Sequence, residues 1–183
     1  KHRDRSQAHV WYDSVRTAGV GKAFNSNDDG EEGAAGDGTT YGYLSEFTRN
    51  GFTVIDGSDA EDYVNKSGAE YVAWCWKAGG NKNTFNVDDV GYATAAAAGL
   101  NAGSIAVTGA SVGTKQGFSI IKYTGTGTAG TISHGLLEQP KFVVIKDLKN
   151  ANAWAVQHVG SVLGTGLLKF DGNDKDDTVA SAV

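Results

Sequence analysis

Short apolar runs, each a few residues long and bounded by Gly, Asn, Asp or Ser, recur along this chain. The segments that alternate or run apolar in this way are His9–Asp13, Lys22–Asn25, Gly42–Phe47, Phe52–Ile55, Glu70–Lys77, Ser104–Thr108, Phe118–Thr124, Phe142–Asp147, Ala153–His158 and Leu167–Phe170. Short strands at regular spacing predict a mainly all-β protein, an antiparallel β-sandwich or jelly-roll-like arrangement. One segment breaks the pattern. In NVDDVGYATAAAAGL, residues 86–100, an Asp pair precedes an alanine run closed by Gly99. Alanine is the best helix former, Asp88 or Asp89 can cap its start, and glycine suits its end, so one short Ala-rich helix is expected near 88–98.

The stretch YVAWCWKAGG, residues 71–80, is the most aromatic in the chain. In an extended strand Val72, Trp74 and Trp76 point one way and Tyr71, Ala73 and Cys75 the other. Both faces are apolar. That predicts a strand covered on both sides, with Tyr71, Val72, Trp74, Cys75 and Trp76 in the core and Gly79-Gly80 releasing the chain. A stacking platform for a sugar or base would keep one polar face, and this strand has none.

Composition narrows the classes. The chain has 183 residues with 26 glycines, one proline and no methionine, which implies many turns. Its 16 Lys+Arg against 21 Asp+Glu give a net charge of −5, which offers no counterion-release drive toward nucleic acid. No apolar run approaches the ~18 residues of a membrane helix, and the polar start Lys1-His2-Arg3-Asp4-Arg5 is not a signal peptide. Cys75 is the single cysteine, so no internal disulfide forms. A reactive thiol needs a cationic, partly exposed setting, and a cysteine between two tryptophans reads as a small core residue.

Weak internal repetition is present. KHRDRSQAHVWYDSV (1–15) resembles KDLKNANAWAVQHVG (146–160), KAFNSND (22–28) resembles LKFDGND (168–174), and GFTVI (51–55) resembles GFSII (117–121). The order of these copies predicts tandem related units: 1–80 as the C-terminal part of one β unit, 81–116 as a helix-containing connector, and 117–183 as the start of a second unit. The chain then reads as a slice of a longer array, with the edge beside the Trp11 strand filled by another copy.

Several strings imitate chemistry. Gly109-Ala110-Ser111-Val112-Gly113 matches the GxSxG nucleophile elbow, which requires strand, sharp turn and helix; here a strand follows. Gly125-Thr126-Gly127-Thr128-Ala129-Gly130 matches GxGxxG, without the helix that would carry phosphate. His2, His9, His134 and His158 form no i,i+4 pair, and His134 beside Gly135 reads as a turn residue. The acidic loops 28–32 and 171–177 offer hard oxygen ligands suited to Ca²⁺, with Asp171, Asn173, Asp174 and Asp176 the candidates. Neither loop has EF-hand spacing, and acidic loops are ordinarily solvated. No other cofactor is indicated. Nothing in the sequence sets paired carboxylates across a cleft for glycoside hydrolysis.

YVAWCWKAGG, then GFSIIKYTGTGTAGTISHGL, PKFVVIK and AWAVQH, resembles a β-rich domain of structural proteins in marine tailed bacteriophages. The likeness runs from Trp11-Tyr12-Asp13-Ser14-Val15-Arg16 to about Asp174; WCWKAGG and the His134-Gly135-Leu136 turn before Pro140 are its most specific parts. The family carries no catalytic residues to transfer. The resemblance implies a non-enzymatic virion component on a tail fibre, appendage or capsid surface. Its partners would be other copies of itself and other virion proteins, with neither nucleic acid nor membrane among them. The alternative is an adhesin that binds host-surface glycan through exposed aromatics, for which Trp11, Tyr12, Tyr41 and Tyr43 are the candidates.

Overall fold

A computed structural model describes residues 1, 3–59, 62–159, 166–170 and 177–178. The elements, in chain order, are β1 (Val10–Trp11), β2 (Phe24–Asn25), β3 (Tyr43–Thr48), β4 (Gly51–Ile55), β5 (Phe85–Val87), β6 (Val90–Tyr92), β7 (Val107–Gly113), β8 (Phe118–Tyr123), β9 (Phe142–Ile145), β10 (Ala155–His158), β11 (Gly166–Lys169) and β12 (Asp177–Thr178). The protein is all-β, built from several small sheets. These sheets do not by themselves establish a sandwich or a jelly roll. The chain divides into two compact units, Lys1–Trp74 with Lys141–Ala180 and, between them in sequence, Cys75–Pro140. These bounds are not the 80/81 and 116/117 divisions drawn from the repeat.

The first unit holds the β1–β2 pair, the β3–β4 hairpin and a four-stranded sheet in the order β12-β11-β10-β9. Whereas GFSII, the second copy of GFTVI, falls in the other unit, both copies of the first two repeated strings begin in this one. Each makes an antiparallel pair at nearly the same offset: Val10 opposite Asn25 and Trp11 opposite Phe24 in one, Ala155 opposite Lys169 and Val156 opposite Leu168 in the other. The turn between β9 and β10 is organised by Asp147. Its Oδ1 accepts from the backbone N–H of Lys149 (2.9 Å) and Asn150 (3.3 Å), and its Oδ2 from the side-chain amides of Asn150 and Asn152, both at 2.9 Å. Those bonds, the Lys149 one foremost, hold the carboxyl below the usual range.

The second unit is one mixed sheet in the order β6-β5-β7-β8, with β5 and β7 parallel and the other pairs antiparallel. Leu100, Val107, Ala110 and Val112 are buried at its centre, and Phe85, Val87, Ala95, Ala98, Ile121, Ile132 and Leu136 pack against them.

Among the described residues there is no helix, which corrects the helix expected near 88–98. Asn86 and Val87 are claimed by β5, and Asp88 and Asp89 form the turn into β6 with φ of 48° and 67°. Positive φ at both central positions is what a tight hairpin turn demands, and Asp tolerates it better than most residues. Of the helix only one turn remains. Thr94, not the Asp pair, caps it, its Oγ1 accepting from Ala97 N–H at 3.1 Å. Leu100 N–H bonds back to Ala95 C=O (2.8 Å) and Gly99 N–H to Ala96 C=O (3.0 Å), with Gly99 at φ 71°. This is a Schellman termination. The stop signal acts as read, but four alanines are too few to repay helix nucleation once the preceding residues pair as strands.

The second correction concerns YVAWCWKAGG. Residues 72–78 form no strand, and Trp74 and Trp76 are 61% and 60% exposed, with Cys75 exposed between them. Only the start of the stretch pairs: Val72 N–H donates to Lys1 C=O (3.1 Å) and Arg3 N–H to Glu70 C=O (2.9 Å), leaving Tyr71 and Val72 half-buried. The buried part is Ala78-Gly79, not the tryptophans. A Cβ on Gly79 would stand 2.3 Å from Val112 O and 2.7 Å from Asn86 O, so a glycine is needed where the chain presses on β5 and β7. Two apolar faces predicted two-sided cover, but residues 72–78 join no ladder among the described residues.

A candidate ligand-binding hollow

A concavity in the first unit is built by β1, β2 and the turn that follows them. Phe24 is buried and meets Trp154 edge to face, ring centroids 5.4 Å apart. Arg16 lies over the Phe24 ring at 4.2 Å, its own guanidinium held by Asp13 (2.5 Å) and Glu32 (3.3 Å). Trp154, buried in its turn, donates its indole N–H to the carbonyls of Asn25 (3.2 Å) and Asp28 (3.0 Å). That fork fixes the turn from 25 to 28. Ser26 N–H then donates to His9 C=O (3.2 Å), and His9 N–H to Asn27 Oδ1 (3.3 Å).

Trp11 sits opposite Phe24 in the β1–β2 register and is 38% exposed. Its ring lies 6.0 Å from Trp154 and 6.0 Å from Phe170, and Phe170 in turn lies 6.3 Å from Phe142. His9, Trp11, Ser26, Asn27 and Phe170 line a hollow of about 230 Å³. Two walls are aromatic and three residues present polar side chains. Burial pushes the His9 imidazole below its ordinary value, with the Lys1 charge a further cause.

Of the aromatics named from sequence, Trp11 alone belongs to this hollow. Tyr12 is turned into the protein: its hydroxyl donates to Asp37 Oδ2 (3.1 Å), which also accepts from the N–H groups of Lys22 and Ala23, both at 3.0 Å. Burial first, and then the Asp37 charge, push the Tyr12 phenol well above the usual range. Tyr41 stacks on Tyr63 at 4.9 Å and 15°. Tyr43 is half-buried in β3.

The remaining sequence candidates have structural roles or fall outside the description. Ser111 of GASVG is fully buried inside β7 and donates to Gly80 C=O at 2.7 Å, so it occupies a strand and not an elbow. GTGTAG follows β8 as loop. His134 Nδ1 accepts from Leu136 N–H (3.1 Å), turning Leu136 onto the core. In the loop 28–32, Asp28 Oδ1 accepts from Gly30 N–H (2.6 Å) and Glu32 pairs with Arg16 and Lys22. The calcium candidates Asp171, Asn173, Asp174 and Asp176 lie outside the described residues, as does His2. Among the described residues no three His, Cys, Asp or Glu side chains converge as a metal site would require.

A smaller polar hollow in the second unit, about 110 Å³, is lined by Lys77, Ala78, Asp88, Asp89, Lys115 and Gln116. Three of its charged groups are engaged locally. Lys77 pairs with Asp89 at 2.5 Å, and Asp88 accepts from the Thr114 hydroxyl (2.5 Å) and N–H (2.8 Å), which holds the Asp88 carboxyl below its ordinary value. This arrangement ties the β5–β6 turn to the end of β7.

His9, Ser26, Asn27 and Phe170 were not singled out by sequence. The signal for three of them was present, since Ser26, Asn27 and Phe170 fall in the KAFNSND and LKFDGND copies. What was not legible is that the two copies bring their aromatic rings together.

These features define an all-β protein of small sheets with an aromatic-walled hollow. A family model described as a domain of unknown function, DUF7483, matches residues 1–183, and the chain belongs to that family. No curated protein and no solved structure matches it.

Proposed function

We propose that this chain is a non-enzymatic structural module of a marine tailed-bacteriophage virion, serving assembly and surface display on a tail fibre, appendage or capsid. The attribution to a virion rests on the resemblance carried by WCWKAGG and the His134-Gly135-Leu136 turn. In this reading the small sheets belong to tandem, sandwich-like units, and the partners are further copies of the chain and other virion proteins.

One observation carries the assembly role. β9 is the edge strand of its sheet, and Phe142, Val143 and Ile145 on it are 53%, 38% and 44% exposed. Single exposed apolar residues are ordinary, but several on one edge strand form an edge that soluble monomers usually blunt with charge or proline. A partner strand would satisfy both the ladder and the apolar side chains. A specific contact of this kind should bury at least ~1,000 Å² in total.

The test is sedimentation of the purified chain over a wide concentration range, together with immunogold labelling of intact particles. Concentration-dependent association that Val143→Lys and Ile145→Lys abolish, with label on the virion, supports the reading. A monomer at high concentration and unlabelled particles defeat it. A second reading, an adhesin for host-surface glycan, is favoured by the hollow at Trp11 alone, because Tyr12 and Tyr41 are engaged within the protein.

A further inference from the structure

We propose that the hollow beside Trp11 binds one neutral pyranose ring of a glycan. This deepens the adhesin reading by assigning its ligand class and site, and it does not depend on the assembly reading. A sugar ring offers an apolar face of C–H groups and an equatorial rim of hydroxyls, so its receptor needs an aromatic wall and a few polar groups that both donate and accept. The hollow supplies both. Trp11 and Phe170 supply the aromatic lining, and His9, Ser26 and Asn27 the polar lining. Asn27 engages its Oδ1 with the His9 backbone, which leaves its Nδ2 turned to donate. No hydrogen bond within the protein is made by the Ser26 hydroxyl or the His9 imidazole among the described residues, and both donate as well as accept.

Size and charge narrow the class. At about 230 Å³ the hollow falls below the ~300–1,000 Å³ range of sites that enclose a drug-sized ligand. It takes one ring and leaves the rest of a chain in solvent. No Lys, Arg, Asp or Glu lines the hollow. Exposed Asp28 and Asp29 follow directly on the same turn, and the Lys1 charge acts on His9. A uronic or sialic acid would therefore find no cation among the lining residues to pair its carboxylate, and a neutral hexose or N-acetylhexosamine needs none. The hollow is held from beneath by the Trp154 indole fork onto the Asn25 and Asp28 carbonyls, so its shape is fixed before a ligand arrives and little ordering cost falls on binding.

The experiment is nuclear magnetic resonance of the full chain with indole N–H resonances assigned for its four tryptophans. It is titrated with the methyl pyranosides of glucose, galactose, mannose and N-acetylglucosamine, and separately with methyl glucuronide. Concentrations run to about 50 mM, so that a site with Kd near 1 mM, or several-fold weaker, fills. The expected result is saturation transfer to at least one neutral sugar, a shift of the Trp11 indole with Trp74 and Trp76 unmoved, and no response to the glucuronide. Asn27→Ala, at an exposed position, should weaken binding about five- to tenfold while the spectrum stays folded, and Ser26→Ala should do the same to a lesser degree. No transfer from any neutral sugar overturns the proposal. So does a response confined to Trp74 and Trp76, or binding that both substitutions leave unchanged. Each of these results leaves the sedimentation and particle-labelling test of the assembly role standing on its own.

Discussion

The two compact units solve the problem of a small core in different ways. In the first, large rings do the work: Phe24 and Trp154 are buried, Trp11 and Phe170 are tilted against them, and charged groups are drawn in around the rings, Arg16 over Phe24 and Asp37 beneath Tyr12. In the second, the centre is aliphatic and small, with Ala110 and Val112 fully buried and Gly79 pressed on the β7 backbone. Rings leave rims exposed, and the hollow at Trp11 is such a rim. Aliphatic side chains and glycines close tightly, and there the chemistry-like motif GASVG is absorbed as packing. A surface usable by a ligand therefore comes with the aromatic solution and not with the aliphatic one.

The strongest way to break this contrast is Trp154→Ala. It removes a buried ring and the fork that fixes the 25–28 turn, and should cost about 3–5 kcal/mol in urea unfolding. A loss below about 1 kcal/mol would mean the aromatic group is not the centre of its unit. Gly79→Ala probes the other unit. Its new methyl meets backbone atoms and not a flexible side-chain end, and overpacking of this kind costs about 1–3 kcal/mol. If it is neutral, the close approach to β7 is not what holds the AGG segment in place.

The polar groups of the aromatic unit give a pH signature. The Tyr12 phenol is raised in the folded state, so the folded protein keeps a proton that the unfolded chain loses above pH ~10. The unfolded state then binds fewer protons, and stability falls as pH rises past that value, by up to about 1.4 kcal/mol per pH unit from this group. Tyr12→Phe should flatten that slope in alkaline unfolding curves. Ultraviolet titration should show one of the seven tyrosines ionising only as the protein unfolds. An ordinary titration of Tyr12 would show that its bond to Asp37 does not persist. The smallest effect belongs to Trp74→Ala and Trp76→Ala, exposed positions whose replacement should change stability by about 0.5 kcal/mol or less. A loss of several kcal/mol would restore them to a core.

Much of the strand content was legible. Runs such as Tyr43–Thr48 and Phe118–Tyr123 carry apolar and β-branched residues between turn formers, and that signal is local, so it survives without knowledge of neighbours. Gly99 was likewise legible as a stop, because a left-handed residue at a turn end is a property of the backbone itself. The candidate site was legible only in part. Trp11 stood out as an aromatic in a polar context, while its partners His9, Ser26 and Phe170 are unremarkable residues until pairing brings them together.

What the tertiary structure alone decided is which apolar residues are covered and which local tendency prevails. NVDDVGY had a capping pair for a helix and apolar spacing for a hairpin; pairing of β5 with β7 favoured the hairpin. YVAWCWK has the composition of a core strand, yet burial is conferred by neighbours far away in the chain, and Trp74 and Trp76 stay mostly exposed. The sequence by itself determined the strands β1 to β4 and β8 to β11, the Gly99 stop and the repeated KAFNSND and LKFDGND strings, but not β5, β6 or the fate of 72–78. Side-chain period and turn propensity reach only a few residues. Cover, register and the meeting of Trp11 with Trp154 depend on contacts more than a hundred residues apart in the chain, and no local pattern encodes them.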